Sequence, residues 1–135
     1  MIAYVDTSVV LALYVNEDSS QAAHRILEAS QTLVTSQLSR VEVIRNLHRH
    51  FIEGELSFVL ESFAADLALM AVMEVSTGVI DTAIEIAAST GVKSLDAIHI
   101  SSAQVALGSG AVFVTFDRRQ AVAARSLGMT VLGVN

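Results

Sequence analysis

At 135 residues without a single cysteine, the chain suits one self-sufficient domain and cannot build disulfides or a thiolate metal site. Apolar residues make up 53% and charged residues 16%, which calls for elements buried on more than one side, as in an α/β sandwich with parallel strands. The formal charge of −6 argues against binding nucleic acid through an overall field, but leaves room for a local basic groove or for metal ions that invert an acidic site.

In chain order, the apolar run 2–5 predicts a strand, and Asp6 follows it directly, ahead of a helix over 7–15. Ser19 or Ser20 caps a second helix to about Ala29, and Thr32–Thr35 reads as a strand. Ser39 opens a helix to about Ile52, which Gly54 ends as a C-terminal glycine. A helix over 57–71 leads to the short strand 73–75, and a helix over 79–90 stops at Gly91. Ser94 starts a helix over 95–107, stopped by Gly108. A strand over 111–115, a helix over 119–127 stopped by Gly128 and a strand over 129–134 complete the chain. Strands alternating with helices predict a three-layer α/β sandwich around a mainly parallel sheet of about five strands. With no repeat, linker or proline punctuation, residues 1–135 read as one domain.

The stretch from Ala97 to Phe116 carries no Asp, Glu, Lys or Arg and is nominally long enough to span a bilayer. His99, Gln104 and the breaker Gly108-Ser109-Gly110 divide it, so a buried helix followed by a central strand is expected, with no membrane association. No basic segment precedes the first strand, and the absence of cysteine is compatible with a reducing compartment, so the expected location is the cytoplasm.

Four carboxylates stand at comparable places. Asp6 follows the first strand, Glu42 lies early in the helix after the second, Asp96 lies in the first turn of an apolar helix, and Asp117 follows the strand over 111–115. Each has an ordinary reading alone: Asp6, Asp96 and Asp117 as caps or dipole partners, Glu42 as a surface ion pair with Arg45 and Arg49. In a doubly wound sheet, however, the loops after strands and the starts of helices share one edge, so all four are candidates for a single site. Hard oxygen ligands without cysteine suit Mg²⁺, or Mn²⁺, rather than zinc.

Tyr4-Val5-Asp6-Thr7-Ser8, Ser39-Arg40-Val41-Glu42, Ser94-Leu95-Asp96-Ala97-Ile98-His99 and Val114-Thr115-Phe116-Asp117 resemble the four acidic motifs of PIN-domain ribonucleases. The short form is similar to VapC toxins of prokaryotic toxin–antitoxin pairs. The resemblance implies a metal-dependent endoribonuclease, with water attacking an RNA phosphodiester under metal assistance. Asp6 and Asp96 are then the principal metal ligands, while Glu42 and Asp117 bind a second ion or orient the nucleophile. Thr7, Ser8 and Thr115 are candidates for holding the carboxylates in place. His99, one turn after Asp96, is placed to orient that carboxylate or to act in proton transfer; the commoner reading is a buried histidine satisfied by one hydrogen bond, so it stays outside the catalytic set.

Arg45 and Arg49 on the Glu42 helix face, with Arg118 and Arg119 beside Asp117, are candidate contacts to the RNA backbone; their alternative is internal ion pairing. Phe58, Phe63, Leu67, Met70 and Met73 form an apolar surplus suited either to the core or to an interface. The resemblance implies a homodimer and a small antitoxin that blocks the acidic site. Two other functions compete: a binding module that has lost catalysis, and a phosphotransfer or receiver-like domain. The second is disfavoured by Ser8, where a phosphatase needs a second Asp, and by Lys93 being the only lysine, far from the end of the last strand.

Overall fold

The computed structural model describes residues 1–134. Its elements are β1 (Ile2–Val5), α1 (Thr7–Leu11), α2 (Ser20–Ala29), β2 (Thr32–Ser36), α3 (Gln37–His50), α4 (Glu53–Leu67), β3 (Ala71–Met73), α5 (Thr77–Thr90), α6 (Ser94–Leu107), β4 (Val112–Val114), α7 (Arg118–Ser126) and β5 (Thr130–Leu132). The five strands form one sheet in the order β3-β2-β1-β4-β5, and every neighbouring pair is parallel. The chain grows outward from β1 through β2 and β3, then returns to lay β4 on the other side of β1. The order therefore reverses between β1 and β4, the place where open α/β sheets bind ligands beyond their carboxyl ends.

The pleat of β1 explains the three layers. Successive side chains point to opposite faces, so Tyr4 joins Phe113, Ile86, Ile100 and Ala124 in a core under α5, α6 and α7. Ala3 and Val5 join Val9, Val43, Leu47 and Phe63 in a second core under α1 to α4. Tyr4 and Phe113 stack with ring centroids 5.5 Å apart across the β1–β4 pair. Each fully buried side chain of this size contributes about 1.5–3 kcal/mol. Helix α6 is buried on several sides, with Ala97, Ile100, Ser101 and Ala103 all inside, and Ser101 Oγ donates to the Val79 carbonyl at 2.6 Å. That burial accounts for the charge-free stretch after Asp96. No helix among the described residues is long and apolar enough to cross a membrane.

Several element boundaries differ from the sequence expectation. Helix α3 ends because Phe51 turns extended (φ −117°, ψ 141°) to pack into the core, and Gly54 lies inside α4 rather than stopping its predecessor. The cap of α3 is Ser36, which accepts from the Leu38 N–H, whereas Ser39 is buried against Thr35 with their hydroxyl oxygens 2.7 Å apart. The helix after Asp6 closes at Leu11 and continues as turns to Val15. Helix α4 starts earlier than residue 57, β3 sits at 71–73 rather than 73–75, and β5 covers only 130–132. The apolar surplus divides: Phe63 is core, whereas Phe58 is 72% exposed.

Candidate functional site

Asp6 is the innermost of the four acids, only 1% exposed at the end of β1. Its backbone N–H donates to the Val114 carbonyl at 3.2 Å, which ties it to β4. Its side chain caps α1: Oδ1 accepts from the Val9 N–H at 3.2 Å and from Ser8 Oγ at 2.6 Å, while Oδ2 accepts from Thr115 Oγ1 at 2.6 Å. Each hydroxyl also accepts a backbone N–H from the loop after β4. Phe116 N–H points to Ser8 Oγ at 3.1 Å, and Asp117 N–H to Thr115 Oγ1 at 3.0 Å. Accepting there orients each hydroxyl hydrogen toward Asp6. Burial nevertheless pushes the Asp6 carboxyl above its ordinary range, against the pull of His99 and of these three donors.

Glu42 sits on the second turn of α3, and its partners are not the arginines of its own helix. Oε1 accepts from Thr7 Oγ1 at 2.6 Å and lies 2.7 Å from His99 Nε2. The other ring nitrogen of His99, Nδ1, is 2.8 Å from the Tyr4 hydroxyl, inside the core. Burial raises the Glu42 carboxyl, but the His99 bond, the Thr7 hydroxyl and the His99 charge together hold it below the usual carboxylate range.

Asp96 and Asp117 meet at the starts of α6 and α7. Asp117 caps α7 through Oδ1, which accepts from the Arg119 and Gln120 N–H groups at 2.8 and 3.0 Å. One turn into α7, Gln120 Nε2 donates to Asp96 Oδ1 at 2.8 Å. Asp96 is pushed above its ordinary range, first by burial and then by the negative charges of Asp117 and Glu42, with Gln120 and His99 opposing.

The loops after β1 and β4 and the starts of α3, α6 and α7 thus bring Asp6, Glu42, Asp96 and Asp117 to one edge, close enough for Asp96 to feel the charges of Glu42 and Asp117. They do not close into a ready-made chelate: no group of three or more His, Asp or Glu among the described residues is gathered tightly enough to hold an ion. The donor chemistry still fits a hard divalent cation. Glu42, Asp96 and Asp117 are each anchored through one carboxylate oxygen, and the other accepts no hydrogen bond among the described residues. Asp6 accepts three, leaving one of its roughly four lone-pair positions. Beside Asp96, Gln120 Oε1 is buried without a partner among the described residues, a further idle oxygen. Carboxylates fixed at one oxygen and strained by mutual repulsion are the arrangement a cation relieves.

A family model of the PIN domain matches residues 3–126. The chain belongs to the PIN-domain family. It is 34% identical over 132 residues to Ribonuclease VapC46 of Mycobacterium tuberculosis, covering 96% of this chain and 95% of that protein. It is 31% identical over 122 residues to Ribonuclease VapC3 of Pyrobaculum aerophilum, covering 87% and 90%. A solved toxin–antitoxin complex from Klebsiella pneumoniae shares the fold with a TM-score of 0.75 over 95% of each chain, at 17% identity.

The four arginines of this PIN domain separate into two groups. Arg45 and Arg49 are exposed on successive turns of α3, in the layer under β1's Ala3 and Val5 face, whereas Arg118 and Arg119 are exposed at the start of α7 in the other layer. None lies within ion-pair distance of a carboxylate; among the described residues the single contact of a basic side chain with an acid is His99–Glu42. Two residues outside the expected set hold acids, His99 on Glu42 rather than on its helix neighbour Asp96 and Gln120 on Asp96, while Tyr4 in turn holds His99. The signal available for His99 and Gln120 was spacing, since each lies three residues after an acid, where a helix places side chains on one face.

Proposed function

We propose that this PIN domain is the VapC-type toxin of a toxin–antitoxin pair, an endoribonuclease that hydrolyses RNA phosphodiesters at the Asp6–Glu42–Asp96–Asp117 edge with Mg²⁺, or Mn²⁺, as cofactor. The observation that carries the reading is the set of carboxylates fixed through one oxygen at the switch between β1 and β4. The near full-length relatives named as ribonucleases support the same activity. A solved neighbour described as a toxin–antitoxin complex supports a small antitoxin as partner; a homodimer and a cytoplasmic location belong to the same reading.

Asp6 and Asp96 would hold the cation, with Glu42 and Asp117 completing the set directly or through water. When bound, the cation supplies Lewis-acid chemistry: it neutralises the carboxylates and the charge that develops on the phosphate. The chain's own task is to keep these oxygens in place. Thr115 and Ser8 fix Asp6, Gln120 fixes Asp96, the α7 amides fix Asp117, and Thr7 with His99 fix Glu42. Glu42, held below the usual carboxylate range, stays ionised at neutral pH and keeps Oε2 available as a proton acceptor toward an attacking water.

The test is cleavage of a mixed pool of single-stranded and structured RNA by wild type and Asp96→Asn, in Mg²⁺, Mn²⁺ or EDTA. Cutting that needs metal and falls at least about 100-fold in the variant is expected, since even residues that support a metal ligand are worth 10–100-fold. Equal cutting by both proteins would place the chemistry elsewhere.

A further inference from the structure

Beside the acids, one concave surface gathers charge of the opposite sign. A cavity of about 630 Å³ lies between the α5–α6 turn and α7, walled by Lys93 on one side and by Arg118 and Arg119 on the other. No carboxylate among the described residues lines it. The whole chain has only 8 Lys and Arg against a net charge of −6, so the gathering of its one lysine and two of its arginines around a single cavity is far from even. None of the three is paired with a carboxylate among the described residues, where the single contact of a basic side chain with an acid is His99–Glu42.

The remaining lining narrows the ligand. Ser89, Thr90 and Ser126 also reach the cavity, but their hydroxyls donate to the Ile86, Ile86 and Ala123 carbonyls at 3.3, 2.7 and 2.6 Å. Binding there rests on cations rather than on hydroxyl donors. The apolar part of the lining is Val92, Ala123 and Val122, the last 67% exposed. Cations for phosphates together with apolar side chains for sugar and base surface suit a nucleic-acid strand better than a free anion. The lining cations are chain neighbours of two of the acids: Arg118 follows Asp117, and Lys93 stands at the N-cap position of the helix whose first turn carries Asp96.

We infer that this groove is the track of the single-stranded RNA backbone on one side of the scissile phosphate, with Lys93, Arg118 and Arg119 contacting phosphates. Arg45 and Arg49, in the layer on the other face of the sheet, lie off this track. The inference rests on the ribonuclease reading above and adds to it a direction and a residue, Lys93.

The experiment measures binding of a fluorescein-labelled RNA of about 12 nucleotides, within the roughly 4–16 that a single-strand site accommodates. Wild type, Lys93→Glu/Arg119→Glu and Arg45→Glu/Arg49→Glu are titrated in EDTA at several salt concentrations, after thermal melts establish that each is folded. Losing the groove cations is expected to weaken binding at least about tenfold and to lower the slope of log affinity against log salt by about 0.7 per lost phosphate contact. The α3 pair keeps the wild-type slope. An unchanged affinity and slope in the folded Lys93/Arg119 variant, or an equal loss in the α3 variant, overturns the track. Adding Mg²⁺ and a long RNA separates the two ideas: a wild type that cuts nothing defeats the ribonuclease reading, whereas a wild type that cuts beside a groove variant of equal KM defeats the groove alone.

Discussion

His99 Nε2 lies 2.7 Å from Glu42 Oε1, and the same ring's Nδ1 lies 2.8 Å from the Tyr4 hydroxyl. Burial holds the Tyr4 phenol far above its usual range, so it keeps its proton at physiological pH and has one to donate. In the neutral form of the imidazole, a proton donated to Nδ1 leaves the ring hydrogen on Nε2, aimed at Glu42. Tyr4 thus sets the tautomer through which His99 steadies an acid of the candidate site. Tyr4→Phe removes only an oxygen from a stacked ring but leaves Nδ1 buried and unpaired. It is expected to cost about 1–3 kcal/mol in a urea melt and about tenfold in kcat, the lower figure for residues that orient ligands. Wild-type values for both would show that Glu42 is held without this relay.

Thr115 joins two acids of the site through one hydroxyl, donating to Asp6 and accepting from the Asp117 N–H. Thr115→Val keeps the shape of the side chain and removes both bonds. The expected result is a loss of about 1–3 kcal/mol in stability, since a buried carboxylate loses a donor, and a fall of about 10–100-fold in RNA cleavage. Thr115→Ser, which restores the hydroxyl, is expected to recover most of the activity. If Val and Ser variants cleave alike, the hydroxyl is not what holds Asp6.

The legible parts of this molecule are those where one residue type has one local use. An apolar run followed by Asp6 marked the end of β1, and Gly91 and Gly108 stop α5 and α6 with φ of 77° and 76°. Gly54 misled because a glycine is also tolerated in the first turn of a helix, and α3 was ended instead by Phe51 turning inward to the core. The four acids could be located, and so could the hydroxyls near them, but not who holds whom. Thr115 reaches Asp6 across 109 positions and His99 reaches Glu42 across 57, pairings that exist only once β4 has been laid beside β1 and α6 across the sheet. Glu42 read alone has arginines within helical reach; in the fold its acid turns from them to Thr7 and His99.

Gly133 follows β5 and packs against the backbone of Thr115. Its φ is 108°, and a Cβ added there would stand 2.3 Å from the Thr115 carbonyl oxygen, so backbone must shift. Gly133→Ala is expected to destabilise by about 1–3 kcal/mol, the cost of a side chain in a conformation that glycine alone adopts freely. Because the displaced residue is Thr115, cleavage should fall with stability. Gly54→Ala is the counterpart: it is an exposed helical position with nothing within 4 Å of the new methyl, and a gain of about 0.4–1 kcal/mol is expected. Melts of both variants decide the matter, and a neutral Gly133→Ala would mean that this corner gives way easily.

Under the proposed reading, metal and proton compete for Asp96, and stability reports the contest without any substrate. Its folded-state pKa is raised, by burial first and by Asp117 and Glu42 next. The stabilising contribution of its protonated form is therefore complete below the ordinary Asp value of about 3.9 and is lost as pH rises through the higher folded value. Glu42 runs the other way: its depressed pKa gives stability above the ordinary range and withdraws it as pH falls through the folded value. In EDTA, Asp96→Asn removes the first effect and keeps an oxygen for the Gln120 amide. The variant is expected to melt higher than wild type at pH 7, with the gap closing toward pH 3. Adding Mg²⁺ at pH 7 then raises the wild type by mass action, about 2.7 kcal/mol at one hundred times Kd, and the variant far less. A wild type that melts above Asp96→Asn in EDTA at pH 7, or an equal Mg²⁺ response in both, would mean that charge repulsion at Asp96 is not what a cation relieves here.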